Sequence, residues 1–280
     1  GTFRVSATAG SSSSPLRYSS LTPSICSVAD ELINEFTVVG AGTCTAAVDQ
    51  AHDTVYGPAS QVTLPVIIDK ATQTLTFPAQ SSQNFIANGT FAVSPLATAE
   101  PVGPARLITY SSGDATICTV SGSEVTMIST GNCPLIASQV NDANYVDAQQ
   151  VTQNVTIAPG ISEMSVTSSP NPSLLGQEVT FTVAITPESI KSASLNRKAA
   201  VVPTGTISLT DNGQPLGSAV TLDATGAASF TTKAFAAPGA HSIVAAYSGD
   251  AFYAQSQSAA FTQTVSAAPV VEPEPVTPTP

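Results

Sequence analysis

Internal repetition limits what this chain can fold into more than any other feature does. Residues 1–6 read GTFRVS and residues 89–94 read GTFAVS. Tyr18-Ser-Ser then answers Tyr110-Ser-Ser, Ile25-Cys-Ser-Val answers Ile117-Cys-Thr-Val, and Gly42-Thr-Cys answers Gly131-Asn-Cys. Both copies continue into an acidic turn that closes on tyrosine, Asp53-Thr-Val-Tyr and Asp142-Ala-Asn-Tyr. Both end on a strand-like run that opens Gln61-Val-Thr and Gln150-Val-Thr. One unit is therefore laid down twice, with a step of about 90 residues.

A third module begins near Gly160 and holds no cysteine. Val179, Phe181, Val183 and Ile185 alternate with polar or small neighbours, the period of a half-buried strand. Asn212-Gly213 sits between Ile207/Leu209 and Leu216/Val220/Leu222 and signals a two-residue hairpin. Further turn signals fall at residues 223–226 and at Pro238-Gly239. Closely spaced short strands predict an antiparallel β-sandwich. Composition agrees: 18 Gly and 21 Pro, no Trp, and few of the charged residues from which long helices are built. The expected division is residues 1–70, 71–159 and 160–266, followed by a Pro/Glu-rich tail or linker over 267–280.

These motifs carry a resemblance. The first two units resemble the Cys-containing bacterial Ig-like repeats of large secreted and surface proteins, through YSS, ICSV/ICTV, GTC/GNC and the D-x-x-Y turn. The third is similar to another bacterial Ig-like repeat family, through Ser169-Pro-Asn-Pro, Gly176-Gln, Pro203-Thr-Gly-Thr-Ile, Asp211-Asn-Gly and Tyr247-Ser-Gly-Asp. It departs by an insertion over residues 188–200. The resemblance implies an all-β chain of tandem Ig-like antiparallel β-sandwiches. Residues 73–77 (QTLTF) read as the first strand of the second unit. The first unit has no counterpart, so its sandwich is expected to lack an N-terminal strand.

Each repeat contains its own cysteine pair, which points to Cys26 with Cys44 and Cys118 with Cys133. Each bridge would close a loop of about 15–20 residues, worth roughly 3 kcal/mol. The rival reading is one zinc site on four thiolates, which lacks the close C-x₂-C pairs such sites use. No signal peptide precedes Gly1, so the cysteines must speak for the compartment. Oxidised pairs imply an extracellular or cell-surface, secreted protein.

Signs of reaction chemistry are few. His52 and His241 lie in different units, with no nucleophile elbow, phosphate loop or metalloprotease motif around them. No catalytic residue, metal or cofactor is expected. Asp49, Asp53, Asp142, Asp147 and Asp250 could offer oxygen ligands to calcium, but turn acids commonly bond their own backbone. Tyr56, Tyr145 and Tyr253 are expected to cover the end of a sandwich. The sequons at Asn88 and Asn154 are expected to stay bare. Eight Lys and Arg against 19 Asp and Glu leave a net charge of −11, which argues against nucleic acid and anionic lipid as partners. No apolar run approaches the roughly 18 residues of a spanning helix, so membrane insertion is not expected.

Two groups suggest assembly. Lys191, Arg197 and Lys198 gather scarce positive charge in the insertion, as a solvated loop or a docking patch for an acidic neighbour. In the tail, an extended strand would put Val271 with Pro269, Pro273 and Pro275 on one side, and Glu272 and Glu274 on the other. The N–H groups of Val270, Glu272, Glu274 and Val276 would then line one edge, able to complete the first sandwich of another chain. A polyproline linker is the simpler account of the same residues. The function expected is non-enzymatic and structural: a rod-like Ig-repeat segment of a bacterial surface protein or self-assembling fibre. Its partners would be other copies of itself, neighbouring Ig-like repeats, the cell envelope or a host glycan. The alternative is a carbohydrate- or receptor-binding adhesin module, with Tyr145 or Tyr253 as the sugar platform.

Overall fold

The computed structural model describes residues 1–101, 107–187 and 201–268. Among them are strands and turns and no helix. The chain is all-β, a series of tandem Ig-like sandwiches. It falls into two compact units. One holds Gly1–Pro78, Pro95–Tyr110 and Ile136–Gln153; the other holds Ala79–Ser94, Ser111–Leu135 and the chain from Asn154 on.

The first repeat forms two three-stranded antiparallel sheets. One orders Thr2–Arg4, Glu35–Val38 and Cys26–Val28; the other orders Leu16–Ser20, Gly42–Gln50 and Val62–Ile68. Their facing sides bury Val5, Tyr18, Cys26, Phe36, Cys44, Ala46 and Val48 in one cluster. The second repeat reproduces the first sheet with Thr90–Ala92, Glu124–Met127 and Cys118–Ser121. It reproduces the second with Thr109–Ser112, Gly131–Ser138 and Val151–Ala158, and adds Gln83–Asn84 at the edge. It also gains a pair that the first repeat lacks, Thr74–Thr76 antiparallel to Thr98–Glu100.

The added edge has a packing consequence. Gln83–Asn84 runs parallel to Ile157–Ala158, and Phe85 N–H donates to the Ala158 carbonyl at 2.8 Å. Val155 and Ile157 beneath are 0% and 1% exposed. Val66 and Ile68, their counterparts in the first repeat, have no such strand beside them among the described residues and stay half-buried. Ile67 on that strand is 76% exposed. Among the described residues Val62–Ile68 is thus an edge strand of its sheet, the position that β proteins ordinarily cover or blunt.

The third module pairs Ser162–Ser169, Val179–Pro187 and Ala227–Thr232 in one sheet. Its second sheet is built on Thr206–Asp211, Gly239–Tyr247 and Phe261–Ser266. Val179, Phe181, Val183 and Ile185 point into the core with Ile207, Leu209, Ile243 and Ala245, as their period of two requires. Asn212 and Gly213 both take positive φ, 46° and 80°, and join Asp211 to Gln214 in a two-residue hairpin. Ser173–Leu174 lies parallel to Val265–Ser266, and Leu175 N–H donates to the Ser266 carbonyl at 2.8 Å. This edge matches the one in the second repeat.

Candidate functional site

The D-x-x-Y turn recurs three times with the same internal bonds. The aspartate N–H donates to the tyrosine carbonyl at 3.0 Å for Asp53/Tyr56, 3.1 Å for Asp142/Tyr145 and 2.9 Å for Asp250/Tyr253. One carboxylate oxygen accepts the next two N–H groups around the turn: Val55 and Tyr56 on Asp53, Asn144 and Tyr145 on Asp142, Phe252 and Tyr253 on Asp250. An aspartate fits because its short side chain reaches its own backbone two and three residues on. The other oxygen of Asp53 accepts Ser13 N–H at 2.7 Å, and that of Asp250 accepts Thr204 N–H at 2.7 Å. The N–H of Ser13, with those of Tyr56 and Val55, holds the Asp53 carboxyl well below the usual carboxylate range. For Asp250, burial opposes ionisation but the N–H groups of Thr204, Phe252 and Tyr253 outweigh it, and its pKa is also lowered.

The turn receives a backbone segment from elsewhere in the chain. In the second repeat Ala71 forms a parallel bridge with Tyr145: Ala71 N–H donates to the Asn144 carbonyl at 2.9 Å, and Val146 N–H to the Ala71 carbonyl at 3.0 Å. In the third module Gly160 does the same with Tyr253, through Phe252 carbonyl at 2.8 Å and Ala254 N–H at 2.9 Å. Glycine is required there, since a Cβ would sit 2.4 Å from the Phe85 carbonyl oxygen. Phe85 stacks obliquely on Phe252, with ring centroids 5.1 Å apart. The loop that crosses between the sheets just before Gly42 and before Gly131 also meets a turn. Ala41 N–H donates to Asn144 Oδ1 at 2.9 Å, and Thr130 Oγ1 donates to the Ala251 carbonyl at 2.8 Å.

These contacts explain the tyrosines. Tyr253 is 3% exposed and its hydroxyl donates to the Val201 carbonyl at 2.8 Å. Burial, with the charge of Asp250 nearby, raises its pKa. Tyr145 is half-buried. A sugar platform needs an open ring face, which Tyr253 does not offer. Tyr56, at 50%, is the exposed member of the series.

Disulfides join Cys26 to Cys44 and Cys118 to Cys133, with Cα atoms 5.6 Å and 5.7 Å apart. Both lie fully buried between the sheets of their repeats. Of the other acids, Asp49 accepts from Gln61 Nε2 at 2.9 Å and Asp147 from Asn141 N–H at 2.6 Å. No group of three potential metal ligands occurs among the described residues. His52 is exposed on its turn, whereas His241 is buried with both ring nitrogens bonded. Lys191, Arg197, Lys198, Val270, Val271, Glu272, Glu274 and Val276 lie outside the described residues.

Sequence reasoning missed Gln50 and the bridging residues. Gln50 Nε2 donates to the Ser12 and Ser14 carbonyls, both at 2.9 Å, and its Oε1 accepts Gly10 N–H, so one buried amide organises a whole loop. Its place six residues after the second cysteine, repeated at Gln139, was a visible signal. Ala71 and Gly160 are small residues two places beyond the aligned positions Asp69, just after the strand Val62–Ile68, and Ala158, the last residue of Val151–Ala158.

No curated protein matches the sequence. Among solved structures, the chain is similar to the N-terminal eight Ig domains of Down syndrome cell adhesion molecule at 10% identity (91% of this chain, 33% of that one, TM-score 0.34). It is also similar to domains 4–9 of the surface layer protein SbsC at 13% (95% and 42%, TM-score 0.25). A third is the Escherichia coli adhesin FdeC at 11% (90% and 85%, TM-score 0.31). The chain thus spans a third of the first of these and under half of the second. Within the third module, residues 166–266 match the bacterial Ig-like domain family, group 3.

Proposed function

We propose that this chain is a non-enzymatic structural segment of an extracellular bacterial protein, made of three Ig-like sandwiches that meet near residues 71 and 160. The observation that carries the reading is the use of its polar groups. The acids and amides of the three D-x-x-Y turns bond their own turns and the backbone that enters them. They are spent on shaping each turn and on fixing the backbone beside it, with Ala71 and Gly160 held where one module leads into the next and Asn144 reaching Ala41 of the first repeat. The bacterial Ig-like match over residues 166–266 supports the family character, and the two buried disulfides support an oxidising compartment. Neighbouring Ig-like repeats and further copies of the chain are the partners on this reading.

The test is mass spectrometry of unreduced protein recovered from the surface of intact cells. The expected result is a deficit of two hydrogens for each bridge, with peptides linked Cys26–Cys44 and Cys118–Cys133. Four free thiols in native material, or protein found only in the cytosol, would reject the extracellular assignment.

A further inference from the structure

The chain enters the third module on Ser162–Ser169, crosses between the sheets, and continues as Ser173–Leu174 beside the last strand, Phe261–Ser266. That pairing is parallel. Tension carried along the chain therefore draws the entering segment toward its N-terminal end and the last strand toward its C-terminal end. Bonds across two strands pulled in opposite directions along one axis are stretched together, not opened one at a time.

Side chains add to the backbone bonds at this place. Asn171 Nδ2 donates to the Thr262 carbonyl at 2.9 Å and its Oδ1 accepts Thr264 N–H at 3.0 Å, so one amide stands in for a stretch of strand. Ser168 Oγ donates to Gln263 Oε1 at 2.6 Å. Gln263 Nε2 donates to the Pro170 carbonyl at 3.1 Å and to Ser173 Oγ at 3.2 Å. Gln263 is 0% exposed, and it stands three residues before the Ser266 carbonyl that accepts Leu175 N–H. The second repeat puts Val155, also 0% exposed, three residues before the matching Ala158 carbonyl. An amide buried where the repeat buries valine costs stability unless its polar atoms are bonded. Apart from one bond to the adjacent Thr264 carbonyl, those of Gln263 run to the entering segment. The module has no cysteine, so no covalent link holds any part of it once these two segments separate.

We propose that the third module is a tension-bearing element, with Asn171 and Gln263, aided by Ser168 and Ser173, as the clamp that keeps it folded while the chain is pulled. The proposal rests on the structural reading above and says what that structure withstands.

Single-molecule stretching of the full chain at constant force tests it. The third module is recognised by the length it releases, roughly 35 nm for residues 162–266, against roughly 25 nm for the second repeat, whose disulfide withholds residues 118–133. Forced unfolding reports the unfolding rate, which rises when bonds broken in the transition state are removed. Asn171→Ala removes two such bonds at an exposed position and shortens the folded lifetime roughly tenfold. Gln263→Val, which places the second repeat's residue type in the core, shortens it as well. Asp223→Ala removes turn bonds to Thr225 and Ala227 outside the clamp. It lowers the urea midpoint but leaves the lifetime within about twofold.

Direction is the second readout. Thr206–Asp211 and Phe261–Ser266 are both antiparallel to Gly239–Tyr247, so they run the same way. With one handle on Gln214→Cys and the other at the C-terminal end, both are pulled from the same end, the ladder peels, and the lifetime falls about tenfold. An Asn171→Ala lifetime equal to that of the unaltered chain, an equal loss in Asp223→Ala, or a lifetime independent of direction overturns the proposal. Such a result with both native disulfides intact rejects the clamp alone, whereas free native thiols in a chain that keeps the long lifetime reject only the extracellular reading.

Discussion

His241 is the one described side chain in the third module whose protonation is dictated by geometry on both sides. Its Nδ1 lies 2.6 Å from Asp211 Oδ2 and its Nε2 lies 2.9 Å from the Ala237 carbonyl, with the ring edge on Phe235. Two acceptors favour a proton on each ring nitrogen, the imidazolium form. Burial opposes that charge, but the Ala237 carbonyl and the Asp211 carboxylate together outweigh it and raise the pKa above the ordinary 6.5. A raised folded pKa contributes stability that is complete below the unfolded value and is lost as pH rises through the folded one. Urea unfolding at about pH 5.5 and about pH 8.5 should therefore show the third module less stable at the higher pH. His241→Gln should remove that difference, and a slope unchanged in the variant would sink the assignment. Gly42 and Gly131 make a second residue-scale case. Their φ values are 133° and 129°, and an added Cβ would meet Ile25 Cδ1 at 3.0 Å or Ile117 Cδ1 at 3.2 Å. Alanine at either position is expected to cost roughly 1–3 kcal/mol in denaturant unfolding.

At the scale of elements, each disulfide ties a strand of one sheet to a strand of the facing sheet. Cys26 lies on Cys26–Val28 and Cys44 on Gly42–Gln50, while Cys118 and Cys133 repeat the arrangement. Loops of 18 and 15 residues are closed, which restricts the unfolded chain by about 3 kcal/mol per bridge. Replacing Cys118 and Cys133 together by alanine should lower stability by at least that amount, because the bridge is also fully buried. A loss below about 1 kcal/mol would mean that the sheets hold without it. The turns behave differently in acid. Asp53, Asp114, Asp223 and Asp250 all have lowered pKa values through bonds from N–H and hydroxyl groups. Their contribution is present above the unfolded carboxylate range and is lost as pH falls through the folded values. Circular dichroism should accordingly hold steady down to about pH 4 and change only below it; loss of signal near pH 5 would contradict these bonds.

For the whole molecule, the cysteine-bearing repeats and the third module rest on separate cores. The third module buries Phe181, Ile207, Leu209, Ile243 and Tyr247 with no sulfur bridge among them. Calorimetry with and without reductant should thus move one transition and leave the other in place. A single transition shifting as one would show the modules to be thermodynamically fused. How much of this was legible beforehand follows from what each feature depends on. Alternation over Val179–Pro187 and the Asn212-Gly213 hairpin are local, set by a period of two and by residues that tolerate positive φ. The repeats were legible because the same turn chemistry had to be written twice. The protonation of His241 was not, since Asp211 and Ala237 reach it only after the sheet and its hairpin close. Nor were the bridges of Ala71 to Tyr145 and of Gly160 to Tyr253. Those are bonds between main-chain groups some 70 to 90 residues apart, and every residue but proline carries the same N–H and carbonyl. The sequence by itself determined which residues turn, which face inward and how often the pattern recurs. Only the tertiary structure decided which stretch of backbone completes each turn, because that choice depends on where the strands have already placed it.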